Sequence, residues 1–152
     1  MRLLILLPLC LTLLSAAESR PSFTGTWKMD SERSDFGQIP KPASFVRKVE
    51  HEDPKIHVLT TFATPGGEAV TDVRYTTDGR ENLNTVRGGE WKSTMVWDGN
   101  SLELASKRTL NGAEVSTRER WTLTSQGKVL TVVNKTNTPQ REITFTVVLN
   151  RE

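Results

Sequence analysis

The feature that most limits what this chain can fold into is its punctuation. Tight-turn signals recur at short intervals: Pro65-Gly66-Gly67, Thr77-Asp78-Gly79-Arg80, Arg87-Gly88-Gly89, Asp98-Gly99-Asn100, Asn111-Gly112 and Ser125-Gln126-Gly127-Lys128. Gly supplies positive φ and Asn or Asp tolerates it, so each site can reverse the chain within a few residues. The stretches between them alternate. Trp91, Ser93, Met95 and Trp97 share one face of residues 90–97; Leu102, Leu104, Ser106, Arg108 and Leu110 share one face of 101–110. Val115, Thr117, Glu119, Trp121 and Leu123 do the same in 114–124. A period of two is the signature of a half-buried strand.

The same pattern extends to both ends. Residues 44–50 place Phe45, Arg47, Val49 and, just beyond, His51 on one face; 55–63 is rich in Val, Ile, Thr and Phe; 68–76 aligns Ala69, Thr71, Val73 and Tyr75. Residues 81–86 form a short polar run, and 129–135 and 143–150 complete the set. Phe23-Thr24-Gly25-Thr26-Trp27-Lys28 opens it, with Gly25 permitting close approach and Trp27 suited to plugging one end. Between that strand and the next, Gly37, Pro40 and Pro42 allow at most one short helical turn across the mouth. Locally connected strands form a meander, and a long meander removes its exposed edges by closing. The expectation is an all-β, antiparallel up-and-down β-barrel of about 8–10 strands with little helix.

Residues 1–17 read as a cleaved signal peptide: Arg2, then an apolar run from Leu3 to Leu14, then Ser15-Ala16-Ala17 as the cleavage site. The apolar run is well short of the roughly 20 residues of a membrane span, so no integral membrane anchor is expected. Leu9 precedes Cys10, which itself lies inside the apolar run, so Cys10 is not read as a lipid attachment site. The expected location is secreted or periplasmic, with residues 18–152 forming a single domain. Cys10 is the one cysteine of the chain, so the domain is read as free of disulfides and of Cys-based chemistry. The 20 basic residues, less Arg2, nearly balance the 18 acidic ones, and the signs are interspersed. Nothing in that charge pattern favours nucleic acid.

At this point the chain resembles the calycins: lipocalins and, more closely, the cytosolic fatty-acid-binding proteins. The residues that carry the resemblance are Phe23-Thr24-Gly25-Thr26-Trp27-Lys28 with Ser31-Glu32 and Asp35-Phe36 behind it, and Thr77-Asp78-Gly79-Arg80 leading to Asn84-Thr85-Val86. It runs loosely from residue 22 to the end, and small secreted lipocalin-like bacterial proteins of unassigned role look similar. Two departures stand out. Gly37 and two prolines occupy the place of that family's helix-turn-helix lid, and the last strand lacks its terminal Arg-x-Tyr carboxylate clamp. The resemblance implies the fold and not the fatty-acid site.

By the alternation rule, the expected ligand-binding lining is Phe62, Tyr75, Trp91, Met95, Trp97, Leu102, Leu104 and Trp121, with Arg108 and Glu119 as interior polar contacts. Turning at Asn111-Gly112 places Arg108 near Glu114 and Glu119 nearer Glu103, offset from one another; an internal ion pair or an outward-turned charge is the plainer alternative. His51 and His57 lack paired metal-ligand spacing. One His could ligate haem, but exposed strand or turn histidines are the simpler reading, and no cofactor or metal is implied. Asn134-Lys135-Thr136 matches a glycosylation sequon. No serine-nucleophile elbow or phosphate loop is present, so the reading is non-enzymatic. The chain is expected to bind a small apolar or amphipathic ligand in the barrel, its protein partners unknown. The alternative is a filled-core interaction module, an inhibitor or envelope partner acting through its loops.

Overall fold

Asn111 and Gly112 both take positive φ, 51° and 78°, the mirror-image turn that suits twisted strands. They join β7 (Ser101–Leu110) to β8 (Ala113–Thr124), with Leu110 opposite Ala113. The computed structural model describes residues 19–152, and the expected leader lies outside the described residues. The other strands are β1 (Gly25–Met29), β2 (Phe45–Glu52), β3 (Lys55–Thr64), β4 (Gly67–Thr76), β5 (Asn82–Val86), β6 (Gly89–Asp98), β9 (Val129–Asn137) and β10 (Glu142–Arg151). All ten pair antiparallel, in the spatial order β4-β3-β2-β1-β10-β9-β8-β7-β6-β5. The fold is therefore the expected all-β meander, wrapped so that β1 lies against β10. The short polar run at residues 81–86 is a strand.

One seam stays open to backbone pairing. β4 and β5 sit at the two ends of the order and form no ladder. The Asn84 side chain spans the gap: its Oδ1 accepts the Arg74 N–H at 2.8 Å and its Nδ2 donates to the Arg74 carbonyl at 2.9 Å. A side-chain amide thus reproduces two ladder bonds where the strands splay apart, satisfying backbone groups that would otherwise have no partner.

No helix occurs among the described residues. The segment between β1 and β2 lies over the mouth as an irregular strap, pinned to β10 by the Asp35–Thr146 bridge. Ser34 Oγ donates to the Asp30 carbonyl at 2.7 Å and accepts the Val148 N–H at 2.9 Å. Phe36 stacks on Phe145 at 5.6 Å between ring centroids. Gly37 permits this close approach: it has φ 53°, and a Cβ there would lie 3.1 Å from the Thr144 carbonyl oxygen.

The core is lopsided. Phe23, Trp27, Ile56, Met95, Leu102, Leu130 and Leu149 are essentially fully buried and fill the end closed by the β6–β7 and β8–β9 turns. Trp27 plays the structural part expected of it, donating its Nε1–H to the Phe23 carbonyl at 2.9 Å. His51 departs from expectation. Its side chain is 3% exposed, wedged between Phe23 and Trp97, and its Nδ1 accepts the Phe23 N–H at 3.3 Å. β2 runs to Glu52, two residues beyond the expected strand end at residue 50, and carries His51 inward.

Candidate ligand-binding site

Above that core the barrel is hollow. An inner chamber of about 220 Å³ sits at mid-height. A larger chamber of about 490 Å³ lies at the mouth, under the strap and among Phe36, Phe45, Phe62 and Phe145. Arg47, Thr60, Thr71 and Glu119 belong to the walls of both, so the two chambers meet at a polar waist.

Glu119 reaches the waist because β8 alternates, placing it on the inward face with Val115 and Trp121. Each of its oxygens accepts a hydrogen bond. Trp121 Nε1 donates to Oε2 at 2.8 Å, and Asn134 Nδ2, from the neighbouring β9, donates to Oε1 at 3.0 Å. Asn134 is only 5% exposed and its Oδ1 accepts from Thr136 Oγ1 at 3.0 Å. The sequon at Asn134 therefore presents its amide nitrogen to the barrel interior, out of reach of a modifying enzyme once the chain is folded.

Arg47 comes from β2, on the opposite wall. Its residue exposure is 9%, and Nη1 stands 3.8 Å from Glu119 Oε2, an ion pair without a hydrogen bond. The guanidinium carbon stands 4.7 Å from the centre of the Trp121 ring and 5.4 Å from that of Phe45. Among the described residues its only side-chain partner in a hydrogen bond is Thr60 Oγ1, reached by Nε at 3.2 Å. Nη1 is buried with no hydrogen-bond partner. Tyr75 faces the same space from β4; burial first, and the Glu119 charge second, push its phenol well above the usual range. Its hydroxyl therefore keeps its proton, and makes no hydrogen bond to the described residues.

The expected lining divides into three groups. Tyr75, Trp91, Leu104, Glu119 and Trp121 stand on the wall of the inner chamber, and Phe62 on that of the mouth. Met95 and Leu102 face inward as expected but lie below the chamber, fully buried in the closed-end core. Trp97 is also at that end, its Nε1 donating to Asp53 Oδ1 at 2.9 Å. Asp53 is held below the usual carboxylate range chiefly by the Thr77 hydroxyl, with Trp97 and His51 adding to it. Arg108 is a correction. The strand register sets Arg108 opposite Val115 and Leu104 opposite Glu119, one residue from the anticipated pairing. Arg108 lies nearer the rim, its guanidinium 4.7 Å above the Trp91 ring, and it forms no pair with Glu119.

Arg47 is the partner that sequence reasoning missed. Its signal was present: a charge alternating with Phe45 and Val49 on one face of the strand over residues 44–50. What that pattern lacked was any indication that β2 faces β8 across the barrel.

A ten-stranded, nearly closed antiparallel meander is a barrel of the fatty-acid-binding-protein-like fold. No protein-family model matches the sequence, and no curated protein matches it significantly. Solved structures do match. Secretory abundant heat soluble protein 4 from Ramazzottius varieornatus superposes with a TM-score of 0.63 at 20% identity, over 88% of this chain and 96% of that one. The fluorescent protein UnaG gives 0.60 at 20% identity, over 86% and 97%. Zebrafish ileal bile acid-binding protein complexed with cholic acid gives 0.60 at 14% identity, over 86% and 98%. At these identities the likeness is one of fold.

Proposed function

We propose that this chain is an exported binding protein that holds one small amphipathic molecule inside the barrel, and that it is not an enzyme. The observation that carries the reading is the hollow itself: aromatic at the mouth, polar at the waist, and within the size range of small-molecule sites. The zebrafish neighbour, complexed with cholic acid, is a barrel of the same fold that takes such a ligand. Export rests on the leader at residues 1–17, and the secretory neighbour from Ramazzottius varieornatus is in keeping with it. The mouth chamber argues against the filled-core alternative, whose inward side chains would occupy that volume.

Titration with the uncharged dye N-phenyl-1-naphthylamine, read by energy transfer from tryptophan, tests this. The wild-type protein is expected to show one saturable site. Thr71→Trp, which places a large ring on the wall common to both chambers, is expected to abolish it while leaving the circular dichroism spectrum intact. A wild-type protein without a saturable site, or undiminished binding in the folded variant, refutes the proposal.

A further inference from the structure

The waist is asymmetric in its hydrogen bonding, and that asymmetry selects a ligand chemistry. Each Glu119 oxygen already accepts from a protein donor, Trp121 Nε1 and Asn134 Nδ2. Arg47 is the reverse. A guanidinium offers five N–H donors and here uses one of them on Thr60. The Tyr75 hydroxyl, facing the same chamber, adds another donor that the protein leaves free. Arg47 Nη1 is buried without a partner, and a buried donor left so costs free energy until an acceptor reaches it.

The charge balance narrows the acceptor. Arg47 and Glu119 already compensate one another across 3.8 Å. An anionic ligand group at Arg47 would sit beside the Glu119 carboxylate and leave one uncompensated negative charge inside the barrel. Two other cations line the mouth chamber: Lys41, whose Nζ donates to the Ser31 carbonyl at 2.7 Å in the strap, and Arg87, over Phe62 at the rim. Arg108 stands over Trp91 but lines neither chamber, and none of the three is paired with the waist. An uncharged oxygen has no such penalty and still satisfies the donors.

Building on the binding role proposed above, we infer that the waist recognises the uncharged oxygen of an amphipathic ligand, an amide, ester, ketone or alcohol. Arg47 and Tyr75 donate to that oxygen and the apolar body extends toward the phenylalanines of the mouth. The barrel therefore discriminates against a carboxylate, and Glu119 is the residue that sets this specificity. Glu119 acts without contacting the ligand oxygen, by cancelling the charge of Arg47 and holding the guanidinium in place.

The test compares dodecanamide, dodecan-1-ol and sodium dodecanoate by isothermal titration at pH 7.5. The wild-type protein is expected to bind the amide and the alcohol at least about tenfold more tightly than the carboxylate. Glu119→Gln leaves Arg47 as a lone buried cation and is expected to reverse the order, with dodecanoate becoming the tightest of the three. Arg47→Met/Glu119→Gln keeps the waist neutral and guards against misfolding caused by an orphaned charge; it is expected to bind all three weakly and about equally. Dodecanoate binding as tightly as the amide to the wild-type protein, or an unchanged order in Glu119→Gln, overturns the inference while leaving a binding barrel in place. Failure of all three probes together with absence of a dye site removes both readings at once. Failure of the probes with a dye site retained overturns only the specificity.

Discussion

Replacing Asn134 by aspartate changes no volume and exchanges one donor for an acceptor. Its consequence can be worked from the waist geometry. Asn134 Nδ2 lies 3.0 Å from Glu119 Oε1, so a second carboxylate there would face the first at hydrogen-bonding distance. Two unit charges about 3 Å apart at an effective dielectric constant near 20 repel by about 5–6 kcal/mol. The folded protein avoids this by keeping a proton on the introduced carboxyl, raising its folded pKa above the unfolded value near 3.9. A tenfold change in acidity between the folded and unfolded states corresponds to about 1.4 kcal/mol, and Arg47, 3.8 Å from Glu119, offsets part of the repulsion. A folded carboxyl about 100- to 1000-fold less acidic than the unfolded one then makes Asn134→Asp about 3–4 kcal/mol less stable than wild type at pH 7.5. The sign follows from linkage. An acid whose folded pKa is raised loses relative stability as pH rises from its unfolded pKa to its folded one, and loses no more above that. Near pH 4 the protonated carboxyl donates to Glu119 as the amide did, and the deficit should shrink to about 1 kcal/mol or less. Urea unfolding of both proteins across pH 4–8 measures it. Equal deficits at pH 4 and 7.5 would refute the hydrogen bond from residue 134 to Glu119 as the source of the effect.

Three further substitutions probe other parts of the barrel. Gly25 has φ 151°, and a Cβ there would meet Arg151 Nη1 at 2.8 Å, displacing a guanidinium that lies 4.3 Å over Trp27 and donates to the Thr24 and Gly127 carbonyls. Gly25→Ala should cost about 2–3 kcal/mol in the same urea assay, and a cost below about 0.5 kcal/mol would contradict the packing. Asn84→Ala removes both side-chain bonds across the β4–β5 seam. It should cost about 1–2 kcal/mol and raise amide exchange at Arg74 and along β5, leaving the β7–β8 ladder unchanged; uniform acceleration would count against a local latch. His57 is raised above its ordinary value of 6.5, first by Asp72 and then by Glu50. Its contribution is therefore fully present below about 6.5 and is lost as pH rises through the raised folded value. His57→Gln should lower Tm at pH 5.5 and converge with wild type by pH 9; a deficit independent of pH would exclude the charged pairing.

The strands were legible because their signals are local. A Gly or Asn that must take positive φ, followed by alternating side chains, settles where a strand ends and which residues share a face; Asn111-Gly112 and its flanking strands illustrate both. The inward direction of Glu119 followed from the same parity. Register was harder. The observed pairing of Leu104 with Glu119 differs by one residue from the pairing first anticipated, because the loop length had to be known to the residue. Burial at strand ends was harder still, as His51 demonstrates: whether β2 stops at residue 50 or runs to Glu52 depends on its pairing with β3.

By itself, then, the sequence determined the class of fold, the absence of cysteine beyond Cys10, and which side chains of each strand share a face. Those properties depend on neighbours in the chain and on a period of two. The tertiary structure alone decided which charges meet. Arg47 and Glu119 belong to strands separated by β1, β10 and β9 in the sheet, and only closure of the barrel brings them within 3.8 Å. Arg108, on the strand next to Glu119, is kept from it by register and by the Trp91 ring. Side-chain parity is a property of one strand, whereas partnership across a cavity depends on the curvature of all ten.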